Sequence, residues 1–133
     1  MNIKMINNFL IIDCIGKDDK LGLRINKEFF VHKLDNNGIE NKNEQLALEI
    51  FKFLKKHKVN PDKNFSVIIN QGPGSFSGIR ISLAVAKGLE ISKSIKLYGY
   101  KASDLEVFDQ KNIDKLLCKN LVEKKLIKPI YLS

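Results

Sequence analysis

Four consecutive apolar residues at 9–12 have no helical spacing and are too few for a core helix, so they predict a buried strand over 9–14, with Asp13 near its carboxyl end. Segments 21–25 and 29–34 carry strand-type residues, and the polar Asn26-Lys27 between them suits a hairpin turn. The chain thus opens as an antiparallel meander of three strands. Asp35-Asn36-Asn37-Gly38 breaks the pattern, and from about Asn41 the period becomes helical. Turned by about 100° per residue, Leu46, Ala47, Ile50, Phe51, Phe53 and Leu54 share one arc. Glu49, Lys52, Lys55 and Lys56 take the other side, and Asn60-Pro61 ends the helix.

Residues 65–70 form another short apolar strand, which runs straight into the glycine-rich loop 71–78. A second helix follows over 77–93, and here the pattern changes. Ile79, Ile81, Leu83, Ala84, Val85, Ala86, Gly88, Leu89 and Ile91 nearly encircle it, leaving only Arg80, Lys87, Glu90 and Lys93 as a wet strip. A helix apolar on almost every side must be covered on more than one, yet a lobe of this length offers one sheet face. A partner surface is the economical explanation, and tight helix-on-sheet packing within the chain is the alternative. Small residues at Ser82, Ala84, Ala86 and Gly88 would let another backbone come close. Residues 97–100 predict a last strand, and Ala102-Ser103-Asp104-Leu105 opens a short helix capped by Ser or Asp. Ile113, Leu116, Leu117, Leu121 and Val122 then recur at helical spacing in a polar helix or linker over 111–124.

These elements define an α/β class with a mixed sheet of about five strands and helices over it. With 133 residues, 44% of them apolar, the chain is expected to be one domain with a substantial core. No apolar run approaches the roughly 20 residues of a membrane crossing, and no secretory signal opens the chain, so no membrane association and a cytoplasmic location are expected. Cys14 and Cys118 lie far apart without a CxxC pair and are expected to be buried thiols. The net charge is +8, but Arg24 and Arg80 are the only arginines among 23 basic residues. Guanidinium is the group favoured for phosphate and base readout. The lysine excess therefore fits a solvated surface and an A+T-biased genome as well as polyanion binding.

The loop lacks the residues of the familiar phosphate-binding and nucleophile motifs. A P-loop needs Gly-Lys-Ser/Thr at the helix start, where Ile79-Arg80 stands. A dinucleotide fingerprint would have its last glycine one residue earlier and belong to the first strand of a parallel unit, whereas this loop comes after three strands and a helix as well as its own strand. Ser75 and Ser77 each lack the glycine two residues before the serine of a nucleophile elbow, and nothing ties His32 or His57 to a serine or to Cys14. No complete catalytic constellation and no metal-ligand cluster is visible.

The run Gly72-Pro73-Gly74-Ser75-Phe76-Ser77-Gly78-Ile79-Arg80-Ile81-Ser82-Leu83-Ala84-Val85-Ala86-Lys87-Gly88-Leu89 resembles the signature GPGSFTGLRIGLATAKGLA of the TsaB (YeaZ) family. The strand ending at Asp13 is similar to the family's opening strand, and Leu97-Tyr98-Gly99-Tyr100 with Ser103-Asp104-Leu105 is similar to its VxGVSSLEA segment. The resemblance implies a ribonuclease-H-like lobe, of the actin-like ATPase and sugar-kinase kind, over 1–107. It leaves 108–133 as a tail whose Pro129-Ile130-Tyr131-Leu132 is similar to the family's carboxyl end, the second lobe of the usual protein being absent. Asp13-Cys14-Ile15 stands where the family has Asp-Thr-Ser, which removes hydroxyls that could hold a phosphate, so no cofactor is expected.

The family's role implies a non-catalytic scaffold subunit of tRNA N6-threonylcarbamoyladenosine synthesis. It would pair with TsaD through first-lobe helices, with TsaE as a further partner and tRNA met only through the complex. The implied partner-binding residues are Ala47, Ile50, Phe51 and Leu54 of the first helix with Ile81, Ala84, Val85 and Gly88 of the second. Gly72, Pro73, Gly74, Ser75, Phe76 and Gly78 would then form a structural loop, its glycines turning tightly, Pro73 limiting freedom and Phe76 anchoring it. A self-associating homodimer, a glycoprotease-like peptidase and a direct RNA-binding module are the alternatives.

Overall fold

A computed structural model describes residues 7–16, 18–34 and 42–119, without the side chains of 42–44 and 76. Its strands are β1 (Phe9–Asp13), β2 (Lys20–Ile25), β3 (Glu28–Lys33), β4 (Ser66–Asn70) and β5 (Lys96–Tyr100), and its helices are α1 (Lys42–Lys56), α2 (Phe76–Lys93) and α3 (Gln110–Cys118). The strands make one sheet in the order β3-β2-β1-β4-β5. β1, β2 and β3 pair antiparallel, whereas β1-β4 and β4-β5 are parallel, each reached by a helical crossover. The expected α/β lobe with a five-stranded mixed sheet is therefore the observed one. At the β2-β3 hairpin Asn26 and Lys27 both have positive φ, 52° and 70°, the two-residue turn whose twist matches its strands.

The period-2 alternation of the strands sorts their side chains into two cores. Leu10 and Ile12 of β1, Leu21 and Leu23 of β2, Val67 and Ile69 of β4 and Leu97 of β5 pack under α1 and α2. Phe9, Ile11, Ile68, Tyr98 and Tyr100 point the other way and pack with Ile113, Leu116 and Leu117 of α3. The sheet is thus covered on both faces rather than one. Helix α3 joins the lobe's core across the boundary expected at Val107, with Asp109 as its cap: the carboxylate accepts from the Asn112 amide at 2.8 Å. Arg24 of β2 reaches Asp114 at 2.6 Å and ties α3 to the sheet.

Two local expectations change. The short helix expected after Ala102 with a Ser or Asp cap is a single 3-10 turn over Ala102–Asp104 with Lys101 at its cap position, because the Ala102 amide is held by the Gly72 carbonyl and the Leu105 amide closes back on Ala102. Cys118 is exposed, at the last helical position of α3, while Cys14 is buried as expected. The expectations for residues 120–133, including the similarity at Pro129-Ile130-Tyr131-Leu132, and for 35–41 lie outside the described residues. No helix among the described residues is long and apolar enough to cross a membrane.

Candidate functional site

The glycine loop is held by its own neighbours. Asn70 donates through Nδ2 to Asp13 Oδ1 at 2.8 Å and accepts the Gly72 amide on Oδ1 at 2.9 Å, so one side chain links the end of β1 to the loop. The Gln71 amide donates to the Tyr100 carbonyl at 2.8 Å, and the Ser75 amide donates to the Ile15 carbonyl at 2.6 Å. Gly72 has φ of 96° and precedes a cis bond to Pro73, while a β-carbon at Gly78 would run into the Cys14 carbonyl oxygen. Gly74 lies against Ile15, and Ser75 occupies the cap position of α2 without a capping hydrogen bond from its side chain. The anchoring expected of Phe76 lies outside the described side chains. The amides of Gly72 and Ser75 are spent on Asn70 and Ile15, which makes the loop a brace between β1 and α2 and leaves those two donors unavailable to an anion.

Behind the loop a cavity of about 220 Å³ is lined by Cys14, Asp19, His32, Glu49, Ser77 and Ile81, among others. Several of its polar groups are already paired. His32 Nε2 lies 2.8 Å from Glu49 Oε2, and Asp19 accepts the Gly16 amide at 2.8 Å. Burial, with Asp19 and Asp13 close by, pushes the Cys14 thiol up, so it is a poor nucleophile. His32 stacks on Phe53, and His57 stacks on Phe30 at 4.0 Å, so both imidazoles pack against aromatic rings. Among the described residues no group of three His, Cys, Asp or Glu could hold a metal ion.

The helical layer is where apolar surface remains. On α1 the arc read from the sequence divides. Ile50 and Leu54, expected to face a partner, are 0% and 3% exposed in the lobe's own core. With Leu46 and Phe53 they sit at the centre of the arc, and a helix must first spend that stripe on its own sheet. Ala47 is half-buried at the arc's edge, and Phe51 is 51% exposed beyond it. On α2, Ile79, Ser82, Ala86 and Leu89 face inward. Ile81 and Val85 are partly buried against the same core, and Ala84 and Gly88 are exposed. A β-carbon at Gly88 would meet nothing within 4 Å.

Sequence reasoning missed two neighbours of this face. Ile91 is 84% exposed and Leu48 is 52% exposed. Each had a legible signal: Ile91 lies seven residues after Ala84, on the same side of α2, and Leu48 is an apolar residue on the polar side of α1.

A family model described as "TsaD: tRNA N6-adenosine threonylcarbamoyltransferase" matches residues 37–107, more than half of the chain. A tRNA threonylcarbamoyladenosine biosynthesis protein TsaB of Buchnera aphidicola subsp. Schizaphis graminum is 35% identical over 77 residues, 54% of this chain and 35% of that protein. Its namesake in the subspecies Baizongia pistaciae is 41% identical over 46 residues, 35% of this chain and 21% of that protein. Among solved structures, YeaZ from Pseudomonas aeruginosa superimposes with a TM-score of 0.61 at 18% identity, over 71% of this chain and 44% of that one. The chain thus spans about a third of the length of the first curated relative and less of the second. By the curated relatives it belongs to the TsaB/YeaZ family, with the TsaD family model matching over more than half of the chain and the YeaZ structure sharing its fold.

Proposed function

We propose that this chain is a non-catalytic scaffold subunit in the cytoplasmic synthesis of tRNA N6-threonylcarbamoyladenosine, and that it binds and activates a TsaD subunit through the outer face of α1 and α2. Ala47, Phe51, Ile81, Ala84, Val85 and Gly88 form the contact, with Leu48 and Ile91 at its margin. Ile50 and Leu54 support it from beneath. The glycine loop holds the amino end of α2 in place. TsaE joins through the assembled pair, and tRNA is met through TsaD.

One observation carries this reading: α2 keeps an apolar and small-residue surface at Ala84, Gly88 and Ile91 although its inward stripe already satisfies the sheet. Glycine inside a helix costs about 1 kcal/mol relative to alanine, and no described side chain needs the space at Gly88. Close approach of a second helix would use it. Burial of Phe51 and Ile91 would add about 1–2 kcal/mol each.

The test is co-purification and sedimentation with the same cell's TsaD. Wild type is expected to form a complex at micromolar concentration. Phe51→Asp and Gly88→Leu are expected to lose it while keeping the wild-type circular dichroism and a cooperative melt. A wild-type chain that ignores TsaD, or variants that bind undiminished, would overturn the reading. A wild-type dimer that TsaD cannot displace would replace it with self-association.

A further inference from the structure

Where the carboxyl ends of α1 and α2 meet, beside the exposed Phe51, lies a groove of about 440 Å³. Phe51, Leu54 and Leu89 contribute its apolar lining, and Lys55, Lys58 and Lys93 bring charge to it. We propose that this groove receives an acidic segment of the protein partner, one apolar side chain entering beside Phe51 and Leu89 while flanking Asp or Glu carboxylates meet the three lysines. The proposal rests on the reading of the α1–α2 face as a protein interface and adds the chemistry that selects the partner.

Charge supports it first. Lys55, Lys58 and Lys93 are exposed, and among the described residues none has an ion-pair partner. Lysines in a last helical turn also favour their own helix ends, and that accounts for Lys55 and Lys93 in part. Lys58 differs, because it lies beyond α1 with φ of 56°. The Val59 amide donates to the Leu54 carbonyl at 2.9 Å, closing the helix in the motif whose left-handed position glycine usually fills. A lysine there keeps a cation beside the groove in a backbone conformation that glycine would hold with less strain.

The lining favours protein over nucleic acid. An RNA backbone would satisfy the lysines but leave the apolar floor wet, and the fork-shaped arginines favoured for phosphate are absent from this groove. It also disfavours a second copy, since two such lysine clusters on chains of net charge +8 repel when brought together.

The experiment uses the full chain and the same cell's TsaD, with affinity measured by calorimetry at low and high salt. Combined Lys55→Glu, Lys58→Glu and Lys93→Glu is expected to weaken binding about tenfold or more at low salt and to invert its salt dependence, since salt then screens a repulsion, with the fold intact by circular dichroism. Lys58→Gly is expected to raise the melting temperature of the isolated chain and to weaken binding. Triple-variant binding that keeps wild-type affinity and salt dependence overturns the groove proposal alone, whereas a wild-type chain that does not bind TsaD overturns the interface reading and the groove with it. Self-association of wild type that strengthens as salt falls overturns the groove proposal. So does tRNA binding by the isolated chain that the triple variant loses while its TsaD affinity stands.

Discussion

Helices α3 and α2 cover opposite faces of one sheet in different ways. Helix α3 turns Ile113, Leu116 and Leu117 inward and leaves Lys111, Lys115 and Cys118 exposed, so its pattern and its packing agree side by side. Helix α2 also buries one stripe, but beside Arg80 and Lys87 its opposite side carries Ala84, Gly88 and Ile91, whereas the opposite side of α3 is lysine with the terminal Cys118. A sheet can absorb one stripe per helix. The surplus on α2 therefore answers to something other than this sheet, and its chemistry, small residues with one large apolar side chain, suits close helix packing.

The strongest break of that comparison is in the core. Leu116→Ala is expected to cost about 2–5 kcal/mol in chemical denaturation, because a fully packed side chain leaves a cavity between α3 and the sheet. Ile91→Ser, on the outer side of α2, is expected to stay within about 0.5 kcal/mol. Comparable losses would mean that the outer side of α2 is packed within the chain, and the contrast between the helices would disappear.

Gly88 sharpens the contrast in the opposite direction. Gly88→Ala is expected to stabilise the isolated chain by about 0.8–1.0 kcal/mol, since the added methyl meets open space and removes the entropy cost of a helical glycine. A loss of stability would show that the position is tight without any partner. The helix starts are expected to differ as well. Asp109→Ala should cost about 1 kcal/mol by removing the carboxylate that accepts the Asn112 amide, whereas Ser75→Ala should leave stability nearly unchanged because Ser75 makes no such bond.

Much of this architecture was legible because local pattern and tertiary role coincide. The run at residues 9–12 is buried on both faces, as an unbroken apolar strand should be, and Asn26-Lys27 forms the hairpin that its polarity suggested. The face of α1 was only half legible. Periodicity places Ile50 and Phe51 on one arc, but depth on that arc depends on where the sheet lies, and that is set by strand order rather than by helical spacing. The same reason hid α3, whose spacing was plain but whose target, the face made by Phe9, Ile11 and Tyr98, exists only once parallel and antiparallel strands have assembled. The Asp13-Asn70-Gly72 link was illegible, because it joins residues 57 positions apart through a side-chain amide that carries no periodic signal.

Asp13 supplies the smallest expected effect and marks where the α3 side of the sheet stops being apolar. It follows Phe9 and Ile11 in the alternation of β1, one residue past the Ile12–Ile69 pair that sets it beside Asn70. Burial raises its pKa above the usual carboxylate value, and the Asn70 hydrogen bond and the charge of Lys20 offset this only in part. A carboxyl with a raised folded-state pKa binds its proton more tightly when folded. Ionisation therefore costs stability above that pKa, and the loss is recovered as pH falls toward the unfolded-state value of about 4. Asp13→Asn keeps an acceptor for Asn70 and removes the charge. In denaturation series from about pH 7 to pH 4, the stability of wild type relative to the variant is expected to rise as pH falls. A flat difference would mean that the Asp13 carboxyl is solvated. A rise toward high pH would mean that Asn70 and Lys20 outweigh burial, making this end of the α3 face a stabilising polar site rather than a cost the sheet carries.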